Sequence, residues 1–303
     1  MSTPPFLALP ACARPRHLPV SRGELAAIES LPADVTDGQG RAGQDPTAPE
    51  APCAILVPGF TGSKEDFIAI LEPLARRGIH PVAYDQYGQY ESDRDDDPRS
   101  YSIPAFAADL VHLAKELGPV RPHLVGHSFG GLVARAAVIA APESFASLTL
   151  LCSGPAGLPK DQSVALQTLM ESLGQTSLDE VWAVHRADAE AAGEPEPPWE
   201  IREFLHRRFV ANSPLALAEM ARALMHTEDR TAELDECGLP ILVAYGTEDD
   251  AWPPAWQTEM ARRLTATVAQ IPGAGHSPAA QAPELTTETL VSFWRDPPTR
   301  PRR

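Results

Sequence analysis

Cysteines and long apolar runs are scarce in this sequence. The four cysteines are far apart and form no Cys-x-x-Cys pair, so we expect buried free thiols rather than a disulfide framework or a zinc site. No run approaches the roughly 18 consecutive apolar residues of a membrane-spanning helix. The first residues also lack the basic and apolar segments of a secretion signal. These absences predict a soluble, cytoplasmic protein.

Basic residues are outnumbered as well, because 25 Lys and Arg face 41 Asp and Glu, for a net charge of −16. Nucleic acids and anionic membranes are bound largely through Lys and Arg, so we expect neither as a partner. His185, His206 and His226 have no metal-ligand spacing. The sequence therefore implies neither a metal nor a cofactor.

Apolar runs without alternation are typical of strands buried on both faces of a parallel sheet. Six such segments occur, and two short strands precede them as an antiparallel hairpin; together they cover residues 16–20, 24–30, 53–57, 80–84, 122–125, 147–152, 241–245 and 267–271. Helical patterns separate the later strands, and the last helix is predicted from about Ala279 to Trp294. This alternation predicts an α/β fold with a mostly parallel sheet of about eight strands and helices on both faces.

Two segments interrupt the alternation. Residues 31–52 are rich in Pro, Gly and Asp and predict a mobile surface loop. Residues 155–236 contain helical stretches but no convincing strand. We therefore expect a core domain formed by residues 1–154 and 237–303, with residues 155–236 inserted as a helical cap over the carboxyl edge of the sheet.

The central motif is Gly-x-Ser-x-Gly at residues 126–130, between an apolar strand and a helix-forming run. In this context the motif predicts a nucleophile elbow, a sharp turn whose crowding requires glycines two residues before and after the serine. Ser128 is thereby exposed at a helix N-terminus, with the backbone N–H of Phe129 free to face a developing oxyanion.

A serine hydroxyl needs a base within hydrogen-bond reach and a third group that orients the base. Both residue types follow later strands: Asp249 comes after residues 241–245, and His276 comes after residues 267–271. Asp250 is the close alternative to Asp249 as the acid, with Glu248 behind it.

Five motifs make the chain resemble the α/β-hydrolase superfamily from Arg16 to Trp294. They are residues 57–60 (Val-Pro-Gly-Phe), the segment from Asp85 to Ser92, the elbow, Gly246-x-x-Asp249 and Gly273-x-Gly275-His276. The resemblance implies Ser128 as nucleophile, His276 as general base and Asp249 as orienting acid. It also implies an oxyanion hole formed by the backbone N–H groups of Phe60 and Phe129. Relatives with a carboxylate nucleophile are dehalogenases and epoxide hydrolases, so Ser128 argues against both reactions.

The resulting hypothesis is a serine esterase that acts through an acyl-enzyme on a small or medium substrate with an apolar portion. Trp252, Tyr87 and Tyr90 are candidates for the pocket. Two alternatives remain open: a ligand-binding or sensor protein on the same fold with slow hydrolysis, and a different reaction of the same triad. Such reactions are amide, thioester, lactone or carbon–carbon bond hydrolysis, perhydrolysis and a lyase reaction.

Overall fold

The computed structural model describes residues 2–32, 51–159, 163–173, 175–193 and 195–298, except for the side chain of Ala165. Most of the predicted loop at residues 31–52 lies outside the described residues. None of the helices in the described ranges has the length and apolar character needed to cross a membrane. The four cysteines carry free thiols, of which three are buried and one is partly exposed.

Eight strands form one sheet in the order β1-β2-β4-β3-β5-β6-β7-β8. The pairs β1–β2 and β2–β4 are antiparallel, and all the others are parallel. The predicted fold class is thus confirmed, including the hairpin at the sheet edge. The strands are β1 (Ala13–Val20), β2 (Gly23–Ser30), β3 (Cys53–Val57), β4 (His80–Tyr84), β5 (His123–His127), β6 (Ser147–Leu151), β7 (Ile241–Gly246) and β8 (Thr267–Ile271).

Helices cover both faces of this sheet, so the central strands are buried on both sides. Side chains of α2 and α3 form one core cluster with strand residues, and side chains of α1 and α11 form the other. The helices are α1 (Ile68–Arg76), α2 (Ile103–Glu116), α3 (Phe129–Ala140), α4 (Ser163–Ser172), α5 (Leu178–Ala191), α6 (Trp199–Val210), α7 (Pro214–His226), α8 (Thr231–Glu236), α9 (Pro254–Arg263), α10 (Pro278–Gln281) and α11 (Pro283–Arg295).

The C-terminal helix differs from the prediction, because two helices replace the single one expected from Ala279 to Trp294. They meet at Ala282, which has φ −141° and ψ 61°. The ring of Pro283 disfavours the helical conformation of the residue before it. The prediction of one continuous helix was therefore wrong at this residue.

Five helices, α4 to α8, lie between β6 and β7, and the described part of residues 155–236 contains no strand. Part of this segment has an apolar cluster of its own, in which Trp182 of α5 packs with Phe204 and Phe209 of α6 and Leu217 of α7. One helix is enough to connect two adjacent parallel strands. The five consecutive helices found here therefore form more than a simple connection between β6 and β7.

Candidate active site

The turn between β5 and α3 places Ser128 at the carboxyl edge of the sheet, where the residue is only 7% exposed and thus more buried than expected from the sequence. Ser128 has φ 57° and ψ −122°, a backbone conformation that residues other than glycine rarely adopt. A Cβ added to Gly126 would lie 2.4 Å from the oxygen of Gly130, and one added to Gly130 would lie 2.5 Å from the oxygen of Pro58. The backbone therefore has no room for a side chain at either glycine.

His276 connects Ser128 with Asp249. Its Nε2 lies 2.9 Å from Ser128 Oγ, and its Nδ1 lies 2.8 Å from Asp249 Oδ1. This geometry lets Nδ1 donate to the carboxylate while Nε2 accepts the hydroxyl proton. The three side chains, which come from distant parts of the chain, thus form one continuous hydrogen-bonded relay.

The Asp249 side chain is fully buried, and two contacts besides that of His276 stabilise its negative charge. Burial would raise its pKa, but the hydrogen bond and charge of His276, together with the hydrogen bonds from Ala251 and Gln257, outweigh burial and hold the pKa below its ordinary value. The backbone N–H of Ala251 donates to Oδ1 at 3.0 Å, and Gln257 Nε2 donates to Oδ2 at 2.7 Å. The neighbouring Glu248 and Asp250 are exposed, so of the three acids it is Asp249 that lies against His276.

The predicted oxyanion donors belong to one residue next to Ser128 in the chain and one next to a close spatial neighbour of Ser128. Phe129 begins α3 directly after the serine, and Phe60 follows Gly59, where an added Cβ would lie 3.0 Å from Ser128 Cβ. Neither backbone N–H donates to an acceptor among the described residues. Two N–H groups close to a nucleophile can bind the oxyanion of a tetrahedral intermediate.

A cavity of about 160 Å³ opens on Ser128 and His276. Its apolar wall includes leucines from the connection between β6 and β7 (residues 152–240, the β6–β7 segment), and its polar wall includes Ser2, Thr61 and Asp66. The residues lining it are Ser2, Gly59, Phe60, Thr61, Asp66, His127, Ser128, Leu158, Leu166, Leu224, Ala251, Trp252 and His276.

Trp252 is the one predicted pocket aromatic that lines this cavity. It is fully buried and donates from Nε1 to the oxygen of Ala156 at 3.3 Å. A Cβ added to Gly154 would lie 2.1 Å from Trp252 Cδ1. The indole is therefore packed directly against the chain where the β6–β7 segment begins.

The two predicted pocket tyrosines lie elsewhere and are not among the described residues that line the cavity. Tyr87 stacks on Tyr101 with ring centroids 6.0 Å apart, and the Arg22 guanidinium lies 4.2 Å from its ring. Tyr90 packs edge-on against Phe204 of α6. Their contacts are those of packing residues.

The polar side of the cavity was missed by sequence reasoning. Asp66 is buried there and forms an ion pair with Arg208 of α6, with Nη1 2.7 Å from Oδ1. Arg208 Nη2 also donates to the backbone oxygen of Ser2 at 2.7 Å. Asp66 Oδ2 also accepts from the Ser63 N–H at 3.4 Å, as in a capping box. No sequence signal paired Asp66 with a residue 142 positions away.

His127 and Cys152 are buried beside the relay. His127 Nε2 donates to the backbone oxygen of His276 at 2.6 Å. Burial, together with the charge of His276, lowers the pKa of His127 to about 3, so this ring stays neutral as a packed residue of the strand end. Cys152 follows β6, and its thiol lies with Asp249 and His276 in a group whose potential ligand atoms are within 4.8 Å of one another.

Comparison with known proteins gives consistent matches. The sequence model described as the alpha/beta hydrolase family matches residues 54–289. The chain is 32% identical over 149 residues to epoxide hydrolase A of Mycobacterium tuberculosis, which covers 48% of this chain and 46% of that protein. It is 33% identical over 89 residues to a proline iminopeptidase of Lacticaseibacillus rhamnosus, which covers 29% of this chain and 30% of that one. Each match thus spans less than half of the curated relative.

Solved structures share the fold over nearly the whole chain. A hydrolase from Pseudomonas aeruginosa superposes with a TM-score of 0.72 and 21% identity, over 92% of this chain and 98% of that one. At this level of identity the likeness concerns the fold.

Proposed function

The chain belongs to the alpha/beta hydrolase family, and we propose that it is a serine hydrolase that cleaves a small or medium carboxylic ester through an acyl-enzyme. The observation that carries the proposal is the relay itself, with His276 at 2.9 Å from Ser128 Oγ and 2.8 Å from Asp249 Oδ1. These are the contacts that a hydroxyl needs to become a nucleophile near neutral pH.

In the acylation step, Ser128 Oγ attacks the ester carbonyl carbon while His276 Nε2 takes the hydroxyl proton. Asp249 stabilises the imidazolium through Nδ1, and the N–H groups of Phe60 and Phe129 bind the oxyanion. Collapse of the tetrahedral intermediate breaks the bond to the alcohol, which leaves with the proton from Nε2. Water then attacks the acyl-enzyme with His276 again as base, and the acid is released.

The cavity supports a substrate with a compact apolar portion. Its volume of about 160 Å³ resembles that of an engineered apolar cavity of about 150 Å³ that binds benzene. Leu158, Leu166 and Leu224 contribute apolar wall from the β6–β7 segment. In this proposal residues 155–236 are a cap inserted into a core formed by residues 1–154 and 237–303, and the cap limits the size of the acyl or alcohol group.

The names of the relatives suggest other bonds, since one is an epoxide hydrolase and another a proline iminopeptidase. The resemblance on which Ser128 is assigned gives epoxide hydrolases a carboxylate nucleophile, so a serine here favours acyl transfer. An amide would pass through the same acyl-enzyme with an amine as the leaving group. Amide substrates therefore belong in the test.

The test is hydrolysis of p-nitrophenyl esters of increasing acyl length by the wild type and Ser128→Ala, with an amide of the preferred acyl group in parallel. We expect turnover that is greatest for short chains and is lost in Ser128→Ala, since without Oγ no acyl-enzyme forms. A serine-directed phosphonate should label about one site per wild-type chain.

Asp249→Asn and Asp250→Asn provide a matched pair of neighbouring acids. We expect the first to lower kcat by about 10⁴, because His276 loses the group that fixes its tautomer, as in other triads. We expect Asp250→Asn to stay close to wild type because its side chain is exposed. Equal activity of Ser128→Ala and wild type would overturn the proposal, and tight ligand binding without turnover would favour a sensor.

A further inference from the structure

A second set of chemical groups overlaps the relay: the Cys152 thiol, the Asp249 carboxylate and the His276 imidazole. One potential ligand atom from each lies within 4.8 Å of the other two. Cys152 and the Asp249 side chain are fully buried, whereas about a quarter of the His276 side chain is exposed. Thiolate, imidazole and carboxylate are the ligands that zinc takes in proteins.

The backbone fixes the position of the thiol. Cys152 has φ 48°, a left-handed conformation, and its N–H donates to the oxygen of Ala244 on β7 at 2.8 Å. Its Sγ lies 3.7 Å from the oxygen of Gly275, the residue before His276. The thiol is therefore directed towards the loop that carries His276, although Cys152 is also part of the apolar core cluster that includes α2 and α3.

We propose that Cys152, Asp249 and His276 form a binding site for a thiophilic divalent metal ion, with zinc as the physiological candidate. Zn–S and Zn–N bonds of about 2.3 and 2.0–2.1 Å place tetrahedral ligand atoms about 3.4–3.6 Å apart. The Nδ1 and Oδ1 atoms, now 2.8 Å apart, need to separate by about 0.6 Å, and the thiol sulfur needs to approach them by little more than about 1 Å. A water molecule supplies the fourth ligand, as in other three-residue zinc sites.

The nitrogen that binds the ion is Nδ1, since this atom faces Asp249 while Nε2 faces Ser128. Binding displaces the proton from Nδ1, and the neutral ring then carries its proton on Nε2. The Cys152 thiol loses its proton to solvent, so one proton is released for each ion bound. An imidazole with its proton on Nε2 cannot accept the proton of Ser128. A bound ion thus inhibits catalysis. This inhibition rests on the proposed serine mechanism, whereas the binding of the ion does not.

Metal binding is tested first without catalysis. Zinc chloride is titrated calorimetrically into Ser128→Ala, in which all three ligands remain, and into Ser128→Ala/Cys152→Ala. We expect one ion per chain in the first protein and an affinity at least tenfold lower in the second. The matched control is Ser128→Ala/Cys53→Ala, which removes a buried thiol of β3 and should bind as Ser128→Ala does.

Two further measurements address direct coordination by sulfur. Cobalt bound to Ser128→Ala should give a thiolate-to-metal charge-transfer band that disappears without Cys152. Cys152→Ser, whose hydroxyl is a poor zinc ligand, should lose affinity while its thermal unfolding stays close to that of the parent. Equal zinc affinity with and without Cys152, or no binding by Ser128→Ala, would overturn the metal site.

Inhibition is measured separately on ester turnover. Zinc should inhibit the wild type reversibly, with recovery on addition of EDTA, and the half-inhibiting concentration should rise at least tenfold in Cys152→Ala. Binding without inhibition of an active enzyme would overturn the inhibitory role. If the wild type has no ester turnover, the proposed function fails, while the calorimetric result still decides the metal site.

Discussion

At the scale of single residues, Gln257 completes the hydrogen bonds around Asp249, the proposed orienting acid. It is fully buried on α9, and its Nε2 donates to Asp249 Oδ2 at 2.7 Å and to the oxygen of Trp252 at 3.0 Å. Asp249 thus has one oxygen for His276 and one for Gln257. This division keeps the carboxylate from rotating and directs Oδ1 towards the imidazole.

We expect Gln257→Met to lower kcat/KM by about 10–150-fold, which corresponds to the 1.5–3 kcal/mol of a hydrogen bond to a charged group. Without this donor the anion is less stabilised, so the pKa of Asp249 rises. The acid limb of the kcat/KM profile should therefore move to higher pH.

The measurement is kcat/KM against pH, with thermal unfolding as a check of the fold. Gln270→Met is the matched control, because Gln270 lies on the edge strand β8 and donates to Tyr245 instead. An unchanged pH profile in Gln257→Met would show that the residue acts through packing alone.

At the scale of elements, the β1–β2 hairpin is fixed to the sheet by a buried carboxylate. Glu29 on β2 is bound by Arg14 and Arg16 of β1 and by His80 of β4. Burial would raise the pKa of Glu29, but the hydrogen bonds from His80 and the two arginines outweigh burial and lower it to about 2. One side chain thus joins the three strands at this edge of the sheet.

The stability of the protein should therefore fall in acid. A carboxyl group whose pKa is lower in the folded state stabilises the fold above its unfolded pKa, near 4.5 here, and loses this effect as the pH falls through about 2. We expect a loss of about 1–3 kcal/mol, discounted because Arg14 is more than half exposed.

Urea unfolding of the wild type and Glu29→Gln between pH 5 and 2 measures this effect. The variant should be less stable at pH 5, and the difference should shrink towards pH 2. Glu24→Gln, at an exposed position of the same strand, should follow the wild type. A difference that does not depend on pH would contradict the assignment.

At the scale of the whole molecule, a buried ion pair joins the β6–β7 segment to the turn between β3 and α1. Arg208 of α6 and Asp66 before α1 are both almost fully buried, and Arg208 also holds the backbone of Ser2. Three distant parts of the chain meet at this point on the wall of the cavity. The shape of the cavity therefore depends on how firmly they are joined.

Removal of one partner should leave an uncompensated buried charge and cost about 3–5 kcal/mol. We expect this loss in Arg208→Met and in Asp66→Asn, and a loss in the double variant that is clearly smaller than the sum. Urea unfolding of the wild type, the two single variants and the double variant completes a double-mutant cycle. Arg207→Met, which changes the neighbouring, largely exposed arginine, is the control. Additive losses would show that the pair is not coupled.

The sequence predicts the sheet well because the central strands are apolar on both faces and, apart from the long connection between β6 and β7, their crossovers are short. The positions of Ser128, Asp249 and His276 follow from the same rule, since parallel strands end at one edge. Contacts between segments that are far apart in the chain could not be predicted in this way. The bond from Arg208 to Ser2 joins residues 206 positions apart, and nothing in the composition of either segment indicates it. Tyr87 and Tyr90 show the converse, since a loop near the site does not reveal which way its rings pack.

The contact between Gly154 and Trp252 has a consequence for related sequences. A methyl group at position 154 would overlap the indole, with only 2.1 Å to Trp252 Cδ1, so neither position can change freely while the other stays. Homologues that keep tryptophan at 252 should keep glycine at 154, and larger residues at 154 should occur only together with smaller ones at 252. The two positions should therefore covary during evolution, and that covariation would mark the homologues that share this cavity wall.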